Sequence, residues 1–560
     1  MVDFDEEKQK KRLEEMRKIE EEDVSKILAS KYGLNYLDLG PIAINSDALR
    51  IVGEEEARVA NLAVFDAVAK KIQVAVLSPQ NEKTQALVKI LENDGYYPTL
   101  HMTSKASLEK AWSRYKDLSY ASESKAGTFD ISNDQVVALM DKIKKIIDVK
   151  NLTGELTGIK QAYRVSKIME IMLAGALALG ASDVHIEPEE IDVRMRFRLD
   201  GVLIDVLSFD LATYTLLLSR IKLLSGLKLN IKSEAQDGRF SVKVKDLEIE
   251  IRTSILPGAY NESIVMRLLN PKSISVPLEE LGIEKRTLDV LIGQIQKPDG
   301  MLLITGPTGS GKTTTLYAFM RKINSQDIKI ITIEDPIEYH LAGIVQTQVE
   351  EDKGYTFLAG LRSALRQDPD VIMVGEIRDA ETAGTAINAA LTGHLVFSTL
   401  HTNSAAGAFP RLIDLAVNPK IISSAINVAM AQRLIRRLCP VCRQERLANE
   451  KEKEIIARTV AGINDKTYLE GIQTEKVYDA KGCEKCNGTG YKGRVAICEA
   501  ILTTKAVEEI ITGNPSDRDI KIAAKPQNIL DMEEDGVLKI LRGVSTFDEL
   551  SRVIDLEERT

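Results

Sequence analysis

The chain of 560 residues lacks any long apolar run, and its longest apolar stretch, Ile171 to Ala181, has 11 residues. A membrane-spanning helix needs about 20 apolar residues, and no charged-then-apolar signal sequence opens the chain. These absences exclude an integral membrane protein and predict a cytoplasmic one. Aromatic residues are also scarce, at 5% with a single tryptophan, which counts against the stacking surfaces of a single-strand nucleic-acid binder.

Basic residues are outnumbered, because 74 Lys and Arg face 83 Asp and Glu, for a formal net charge of -9. A nucleic-acid motor more often carries a basic stripe, so we expect no nucleic-acid partner. The hydrophobic fraction of 44% and the charged fraction of 28% are typical of a soluble globular protein. At about 150 residues per domain, the length predicts three to five domains.

The start of the chain is strongly charged, with 6 basic and 10 acidic side chains in its first 23 residues. Such a run is most often a solvated helix, and a helix that docks a partner is the alternative. Short helical and strand-like patches then predict a small α/β domain up to residue 118. The Ser-, Ala- and Gly-rich segment that follows, 119–133, is typical of a linker.

Two different strand patterns follow the linker. Residues 191–199 (IDVRMRFRL) and 240–251 (FSVKVKDLEIEI) alternate between apolar and charged, which predicts an α+β domain with a half-exposed sheet. Beyond residue 273, four mainly apolar runs of the kind that form buried strands alternate with helical segments, and these runs begin at positions 301, 328, 370 and 395. This βαβ rhythm predicts a parallel sheet that is covered on both faces.

The first of these apolar strands leads into a phosphate-binding motif. Residues 306–313 read GPTGSGKT and fit GxxxxGK[ST] between a strand and a helix, which is the context that the motif requires. The backbone N–H groups of the loop and the N-terminus of the helix that follows it stabilise a bound phosphate. Lys312 is expected to reach the β- and γ-phosphates and Thr313 to ligate Mg²⁺. We assign nucleotide binding to Gly306, Pro307, Thr308, Gly309, Ser310, Gly311, Lys312, Thr313 and Thr314.

Acidic residues and histidines follow the later strands. Glu334 ends one predicted strand and Glu376 follows another, at the carboxyl edge where parallel sheets bind ligands. Carboxylates there suit two tasks, namely holding the Mg²⁺ shell and activating the attacking water. His394 and His401 flank a further strand (TGHLVFSTLHTN). We predict that both histidines sense or position phosphate, although a lone histidine is more often a packing residue.

Together these blocks resemble the secretion ATPase family (GspE/PilB-like), the motors of type IV pilus assembly and retraction and of type II secretion. GPTGSGKT resembles its Walker A motif, ITIEDPIE its Asp box, VIMVGEIRD its Walker B segment and TGHLVFSTLHTN its His box. Upstream, ASDVHIEP at 181–188 resembles the signature of the PAS-like domain that precedes the motor. The resemblance covers nearly the whole chain beyond residue 24.

The resemblance implies a multidomain α/β protein whose RecA-like parallel-sheet core follows a PAS-like α+β domain and a small N-terminal α/β domain. It also implies ATP and Mg²⁺, a homo-hexamer, and an inner-membrane platform protein as partner. The predicted segments are a charged leader helix at 1–23, an N-terminal type II secretion ATPase-like domain at 24–118, a linker at 119–133, a PAS-like domain at 134–272, a RecA-like ATPase domain at 273–435, a tetracysteine zinc module at 436–495 and C-terminal helices at 496–560.

The resemblance further implies roles for individual residues. Glu334 would be the general base and Glu376 the Walker B acid on the Mg²⁺ side, and the alternative is that Glu376 is the base. Arginines of the PAS-like domain would approach the nucleotide at a domain or subunit boundary, and Arg239, Arg252 and Arg267 match that stretch. The alternative is that these arginines only solvate an exposed sheet face.

Four of the five cysteines form two CxxC pairs, Cys439 with Cys442 and Cys483 with Cys486, separated by 40 residues. Two such pairs supply the four thiolates of a structural zinc site. Two disulfides, disfavoured in a reducing cytosol, and an iron–sulfur cluster are the alternatives. Cys498 lies in an apolar run and is predicted to be a buried free thiol.

The sequence therefore predicts a cytoplasmic hexameric ATPase that is peripheral at the inner face of the cytoplasmic membrane. It would power type IV pilus assembly through a platform protein. The tetracysteine insertion and the extra N-terminal domain favour an assembly ATPase over a retraction ATPase. Three alternatives stay open: a type II secretion ATPase, a nucleic-acid translocase on the same core, and a scaffold that binds nucleotide without hydrolysing it.

Overall fold

The computed structural model describes residues 21–42, 44–49, 51–68, 70–93, 95–117, 123–124, 128–129, 133–156, 161–245, 247–270, 276–513 and 515–556. Most of the predicted leader helix and of the linker lies outside these residues. The chain divides into two compact units, Met1–Ser122 and Glu123–Thr560. Among the described residues, no helix is long and apolar enough to cross a membrane.

The first unit is a small α/β fold around one four-stranded sheet with the order β1-β4-β3-β2. Its strands are β1 (Asn35–Tyr36), β2 (Leu62–Val68), β3 (Lys71–Val76) and β4 (Tyr97–Met102). Its helices are α1 (21–32), α2 (Ser46–Leu49), α3 (Glu54–Val59), α4 (Glu82–Asn93) and α5 (Lys105–Ser113). Trp112 anchors α5 on the sheet, because its indole N–H donates to the Leu62 carbonyl over 3.0 Å.

The second unit begins with an eight-stranded sheet of order β5-β6-β10-β11-β12-β7-β8-β9. The strands are β5 (Glu123–Ser124), β6 (Thr128–Phe129), β7 (Asp183–Pro188), β8 (Val193–Leu199), β9 (Val202–Phe209), β10 (Gln236–Val244), β11 (Leu247–Pro257) and β12 (Glu262–Leu269). The accompanying helices are α6 (Asn133–Lys142), α7 (Ile146–Gly154), α8 (Gln161–Leu179) and α9 (Leu211–Leu224).

One face of this sheet is buried and the other is partly open, as the alternating sequence predicted. Along β8, every second side chain is buried and the others are half-buried. The buried side chains pack with α8, whose residues 168–174 are all buried apart from Glu170. The open face carries the arginines at alternating positions.

A seven-stranded sheet of order β15-β14-β16-β17-β13-β18-β21 forms the core of the rest of the unit. Its strands are β13 (Gly300–Thr305), β14 (Ile330–Glu334), β15 (Val345–Gln348), β16 (Val371–Val374), β17 (Leu395–Leu400), β18 (Ile426–Leu438) and β21 (Tyr491–Leu502). All neighbours are parallel except β21, which runs antiparallel to β18. The predicted parallel sheet is therefore confirmed.

Helices cover both faces of this sheet, which is why β13, β14, β16 and β17 are buried along their whole length. They are α10 (Lys285–Ile295), α11 (Lys312–Ile323), α12 (Phe357–Leu365), α13 (Ala380–Leu391), α14 (Ala408–Asp414) and α15 (Pro419–Ala425). Towards the C-terminus follow α16 (Glu450–Gly462), α17 (Lys505–Ile511), α18 (Asp517–Ala524), α19 (Met532–Leu541) and α20 (Phe547–Ser551).

An antiparallel pair, β19 (Arg443–Leu447) and β20 (Lys476–Ala480), stands apart from the large sheets. It lies between the two CxxC pairs together with α16, so the 40 residues between the pairs form a small lobe of their own. Strand β21 runs across the predicted boundary between 495 and 496 and belongs to the central sheet. The segment boundaries given above stay predictions.

Candidate active site and metal centre

The loop between β13 and α11 has the backbone that phosphate binding requires. Three of its glycines have positive φ, namely Gly306 at 150°, Gly309 at 81° and Gly311 at 88°. Side chains disfavour such angles. At Gly306 a Cβ would also stand 2.6 Å from the carbonyl oxygen of Gln432, so this position accepts only glycine. At these glycines the backbone of the loop, and not a side chain, therefore faces the place where phosphates would bind.

Lys312 begins α11 and folds its side chain back over the loop. Its ammonium donates to the carbonyl oxygens of Gly306, over 2.8 Å, and of Pro307, over 3.2 Å. Burial lowers the pKa of Lys312, and the nearby carboxylate of Glu376 partly offsets this effect. Thr313 follows with an exposed side chain. An ammonium, a hydroxyl and a carboxylate thus gather at one end of the sheet.

Glu334 is the last residue of β14 and is only 3% exposed. Its carboxylate accepts hydrogen bonds from the hydroxyls of Tyr317 and Thr332 and from the side-chain amide of Gln346, over 3.0 Å. Burial, followed by the charge of Glu334, raises the pKa of Tyr317, so Tyr317 remains a protonated donor. Glu334 is therefore a buried acid that three donors of its own chain hold in place.

Glu376 follows β16 and contacts two basic side chains. Its side chain is 16% exposed and contacts the guanidinium of Arg378 and the Nε2 atom of His401, the latter over 3.1 Å. Because β13, β16 and β17 are parallel, their carboxyl ends place the phosphate loop, Glu376 and His401 at the same edge of the sheet. The structure thus brings these three predicted elements together.

His394 does not join them. It precedes β17, and its carbonyl accepts from the N–H of Gly300 at the start of β13, while its Nδ1 lies 3.1 Å from the Ala389 carbonyl. The six residues of β17 separate His394 from His401 by about 20 Å at the usual rise of a strand. The two histidines flank one strand and so lie at opposite edges of the sheet, and only His401 is near the phosphate loop.

The three predicted arginines lie on adjacent strands of the eight-stranded sheet, at Cα-paired positions. Arg239 pairs with Arg252, and Arg252 pairs with Arg267. Arg252 extends to the segment after Glu334, where it donates to the Ile337 carbonyl over 2.9 Å. Its Nη1 atom lies 3.4 Å from the Oε2 atom of Glu338. The side chains of Arg239 and Arg267 are 71% and 59% exposed. All three arginines have partners in their own chain, since Arg239 lies 3.9 Å from Glu250 and Arg267 donates to Asp183 over 3.0 Å. Arg252 differs from the other two in its lower exposure, which is 26%.

Two residues next to the phosphate loop were missed by sequence reasoning. Gln432, on β18, donates to the Ser310 carbonyl over 2.8 Å and accepts from the Thr315 hydroxyl over 2.9 Å. Arg433 follows it and is 8% exposed. Two adjacent polar residues inside the apolar run INVAMAQRLI were the available signal, since buried polar side chains have partners.

The four predicted cysteines come together as one group, with all four sulfur atoms within 4.8 Å of one another. The Sγ atoms of Cys439 and Cys483 are 3.9 Å apart, and those of Cys442 and Cys486 are 3.8 Å apart. A tetrahedral zinc site with Zn–S bonds of about 2.3 Å has sulfur atoms about 3.8 Å apart. The arrangement therefore fits Zn²⁺. Cys498 is buried outside the group.

Fold and site together define a class: a nucleotide hydrolase with a parallel sheet, a phosphate loop and carboxylates at the carboxyl edge. A protein-family model described as "Type II/IV secretion system protein" matches residues 159–552. The chain belongs to this family, which confirms the resemblance drawn from its motifs, and it is an ATP-hydrolysing enzyme.

Curated relatives extend this match. The type IV pilus assembly ATPase PilB of Myxococcus xanthus is 35% identical over 533 residues, which cover 95% of this chain and 91% of the relative. The type II secretion system protein E of Aeromonas hydrophila is 42% identical over 389 residues, covering 70% and 75%. Among solved structures, the ATPase DotB of Legionella pneumophila aligns with 69% of this chain and 94% of its own, at 23% identity and a TM-score of 0.48.

Proposed function

We propose that this chain is the ATPase that powers type IV pilus assembly, acting as a homo-hexamer on an inner-membrane platform protein from the cytoplasmic side. The observation that carries the proposal is the 35% identity to a pilus assembly ATPase over 95% of the chain, a span that includes the N-terminal unit. The second candidate is a type II secretion ATPase, which the higher identity of 42% over 70% of the chain favours.

The site supports hydrolysis by in-line attack of water on the γ-phosphate, which releases ADP and phosphate. In this proposal the loop N–H groups and Lys312 bind the phosphates, while Thr313 and Glu376 hold Mg²⁺. Glu334 takes the proton of the attacking water. Three donors of the same chain hold the Glu334 carboxylate at the end of β14, and an ionised carboxylate can accept a further hydrogen bond from water.

The exposure of two of the arginines supports the proposal that a neighbouring subunit completes the site. Charge builds on the γ-phosphoryl oxygens during transfer, and an arginine supplied in trans accelerates other nucleotide hydrolases by about 10³- to 10⁵-fold. Arg239 and Arg267 are the candidates, because their side chains are 71% and 59% exposed. Arg252 is only 26% exposed and contacts Ile337 and Glu338. Hydrolysis would then depend on assembly.

Mixing inactive subunits tests this arrangement. We expect a mixture of equal amounts of Lys312→Ala and Arg239→Ala chains to recover up to about a quarter of wild-type turnover, because that fraction of head-to-tail interfaces regains both groups. Specific activity should also rise with protein concentration. Both are read in a steady-state ATPase assay, and the same mixture with Arg267→Ala tests the second exposed arginine.

Arg252→Ala serves as the matched control for mixing. Because Arg252 acts within its own chain, its mixture with Lys312→Ala should show no recovery. Activity that is independent of concentration, with no recovery for Arg239 or Arg267, would contradict a site shared between subunits.

The choice between pilus assembly and secretion is tested in the organism that carries the gene. A chromosomal Lys312→Ala allele should abolish surface pili, counted by electron microscopy, while the amount of secreted enzymes in the medium stays unchanged. The wild-type allele, supplied on a plasmid, should restore the pili. Loss of secreted enzymes with pili intact would instead establish the type II secretion candidate.

A further inference from the structure

Arg433 is a buried cation with only neutral acceptors. Its guanidinium donates to the Gln432 carbonyl over 3.1 Å, to the Asn403 carbonyl over 3.0 Å and to the Asn403 side-chain oxygen over 3.3 Å. Within the part of the chain that the structure describes, these are its hydrogen bonds and no carboxylate forms an ion pair with it. Buried charges in proteins are normally paired, since leaving water is costly.

The surrounding groups do not supply the missing counter-charge. Burial lowers the pKa of Arg433, and the only carboxylate that offsets this effect is Glu499. Among the described residues, Glu499 forms no ion pair with Arg433, and its carboxylate accepts instead from the N–H groups of Ala405, over 2.6 Å, and of Met532, over 3.4 Å. An anion bound beside Arg433 would pair with the guanidinium directly.

The position of Arg433 shows which anion would reach it. One guanidinium nitrogen lies 3.1 Å from the point where a Cβ of Gly306 would stand, and the Ser310 hydroxyl lies 2.7 Å from that point. The Ser310 hydroxyl is buried and has no hydrogen-bond partner among the residues that the structure describes. Lys312 places its ammonium on the carbonyl of the same glycine. Two cations and an unpartnered hydroxyl therefore converge on the first glycine of the phosphate loop.

We propose that Arg433 is a second phosphate-binding cation supplied by the same subunit, and that it donates to a γ-phosphate oxygen of bound ATP. The γ-phosphate is assigned because the lysine of such loops reaches the β- and γ-phosphates, and here it points to the Gly306 end. The other guanidinium nitrogen keeps its bonds to Asn403, two residues after His401. The triphosphate would thus tie the phosphate loop to the segment that carries His401.

Arg433 differs from the arginines of the eight-stranded sheet in two ways. It is part of the central sheet, on the strand that pairs with β13, and it needs no domain closure or second subunit to reach the loop. The inference rests on ATP hydrolysis by the family and not on the proposed role in pilus assembly, so either one can fail alone.

Nucleotide affinity of the full-length chain tests the proposal. We expect Arg433→Gln to weaken binding of a non-hydrolysable ATP analogue by about 10- to 100-fold, the loss typical of one hydrogen bond to a charged group, and to weaken ADP binding by less than about threefold. Arg433→Lys should lie between wild type and Gln, because it keeps the charge. Isothermal titration calorimetry in the presence of Mg²⁺ measures the affinities of the wild type and of each variant for the ATP analogue and for ADP.

Arg437→Gln is the matched control, because Arg437 lies on the same strand but is exposed, and both affinities should be unchanged. If melting temperatures show that Arg433→Gln does not fold, Arg433→Lys and Asn403→Ala replace it. For these variants the same quantity is compared, namely the ratio of the affinity for ADP to the affinity for the ATP analogue. Equal weakening of both nucleotides in a folded variant, or no weakening of either, would overturn the proposal.

Discussion

Glu334→Gln is expected to lower the turnover number for ATP by about 10²- to 10⁴-fold, the usual contribution of a positioned general base. ATP affinity should stay close to wild type, because Lys312, the phosphate loop and the Mg²⁺ ligands are untouched. The substitution keeps the size of the side chain and replaces one oxygen by an amide nitrogen. That nitrogen cannot accept a proton or a hydrogen bond from Tyr317 or Thr332.

The measurement is steady-state hydrolysis together with binding of a fluorescent ATP analogue. Asp327→Asn is the matched control, because Asp327 is an exposed carboxylate before β14, at the opposite end of that strand from Glu334, and its turnover should be unchanged. Glu376→Gln should instead raise the Mg²⁺ concentration needed for half-maximal rate. Near-normal turnover of Glu334→Gln, with a collapse in Glu376→Gln at saturating Mg²⁺, would transfer the role of base to Glu376.

Loss of the tetracysteine site is expected to have the largest effect on stability. We expect one zinc per chain in the purified protein, and no zinc in Cys439→Ser or Cys483→Ser. Structural zinc sites contribute binding free energies of about 10 kcal/mol in isolated fingers, so the loss should release the segment that the metal clamps. The destabilised region should be 436–495, since it lies between or beside the four thiolates.

Metal content by atomic absorption and the protease sensitivity of the 436–495 segment test this prediction. Cys498→Ala provides the control, because Cys498 is buried away from the group and its loss should leave the zinc content at one per chain. Four freely titratable thiols in the native wild-type protein would exclude a bound metal. A visible charge-transfer band with bound iron would point to the iron–sulfur alternative.

Loss of zinc should also affect nucleotide binding, because β18 and β21 connect the cysteine group to the central sheet. Cys439 follows β18 directly, and the N–H of Cys439 donates to the Gly490 carbonyl over 2.9 Å, just before β21 begins. These two strands form the edge of the central sheet that holds Gln432 and Arg433 beside the phosphate loop. A decrease in ATP affinity upon zinc removal is therefore the expected companion effect.

Motifs made of neighbouring residues were predictable from the chain alone. The phosphate loop depends on eight consecutive residues between a strand and a helix, and its glycines have the positive φ angles that the motif requires. Each CxxC pair likewise presents its two thiolates locally. The common edge for the loop, Glu334 and Glu376 followed from the rule that parallel strands place their carboxyl ends together.

Tertiary structure alone decided how these pieces are completed, because the contacts join residues far apart in sequence. Gln432 and Ser310 are 122 positions apart, and no local pattern predicts that they meet. The separation of His394 from His401, by contrast, was already contained in the sequence, since the two residues lie at opposite ends of the same strand. Sequence therefore determined the chemistry of the site, whereas the pairing of β18 with β13 placed the buried Arg433 beside the phosphate loop.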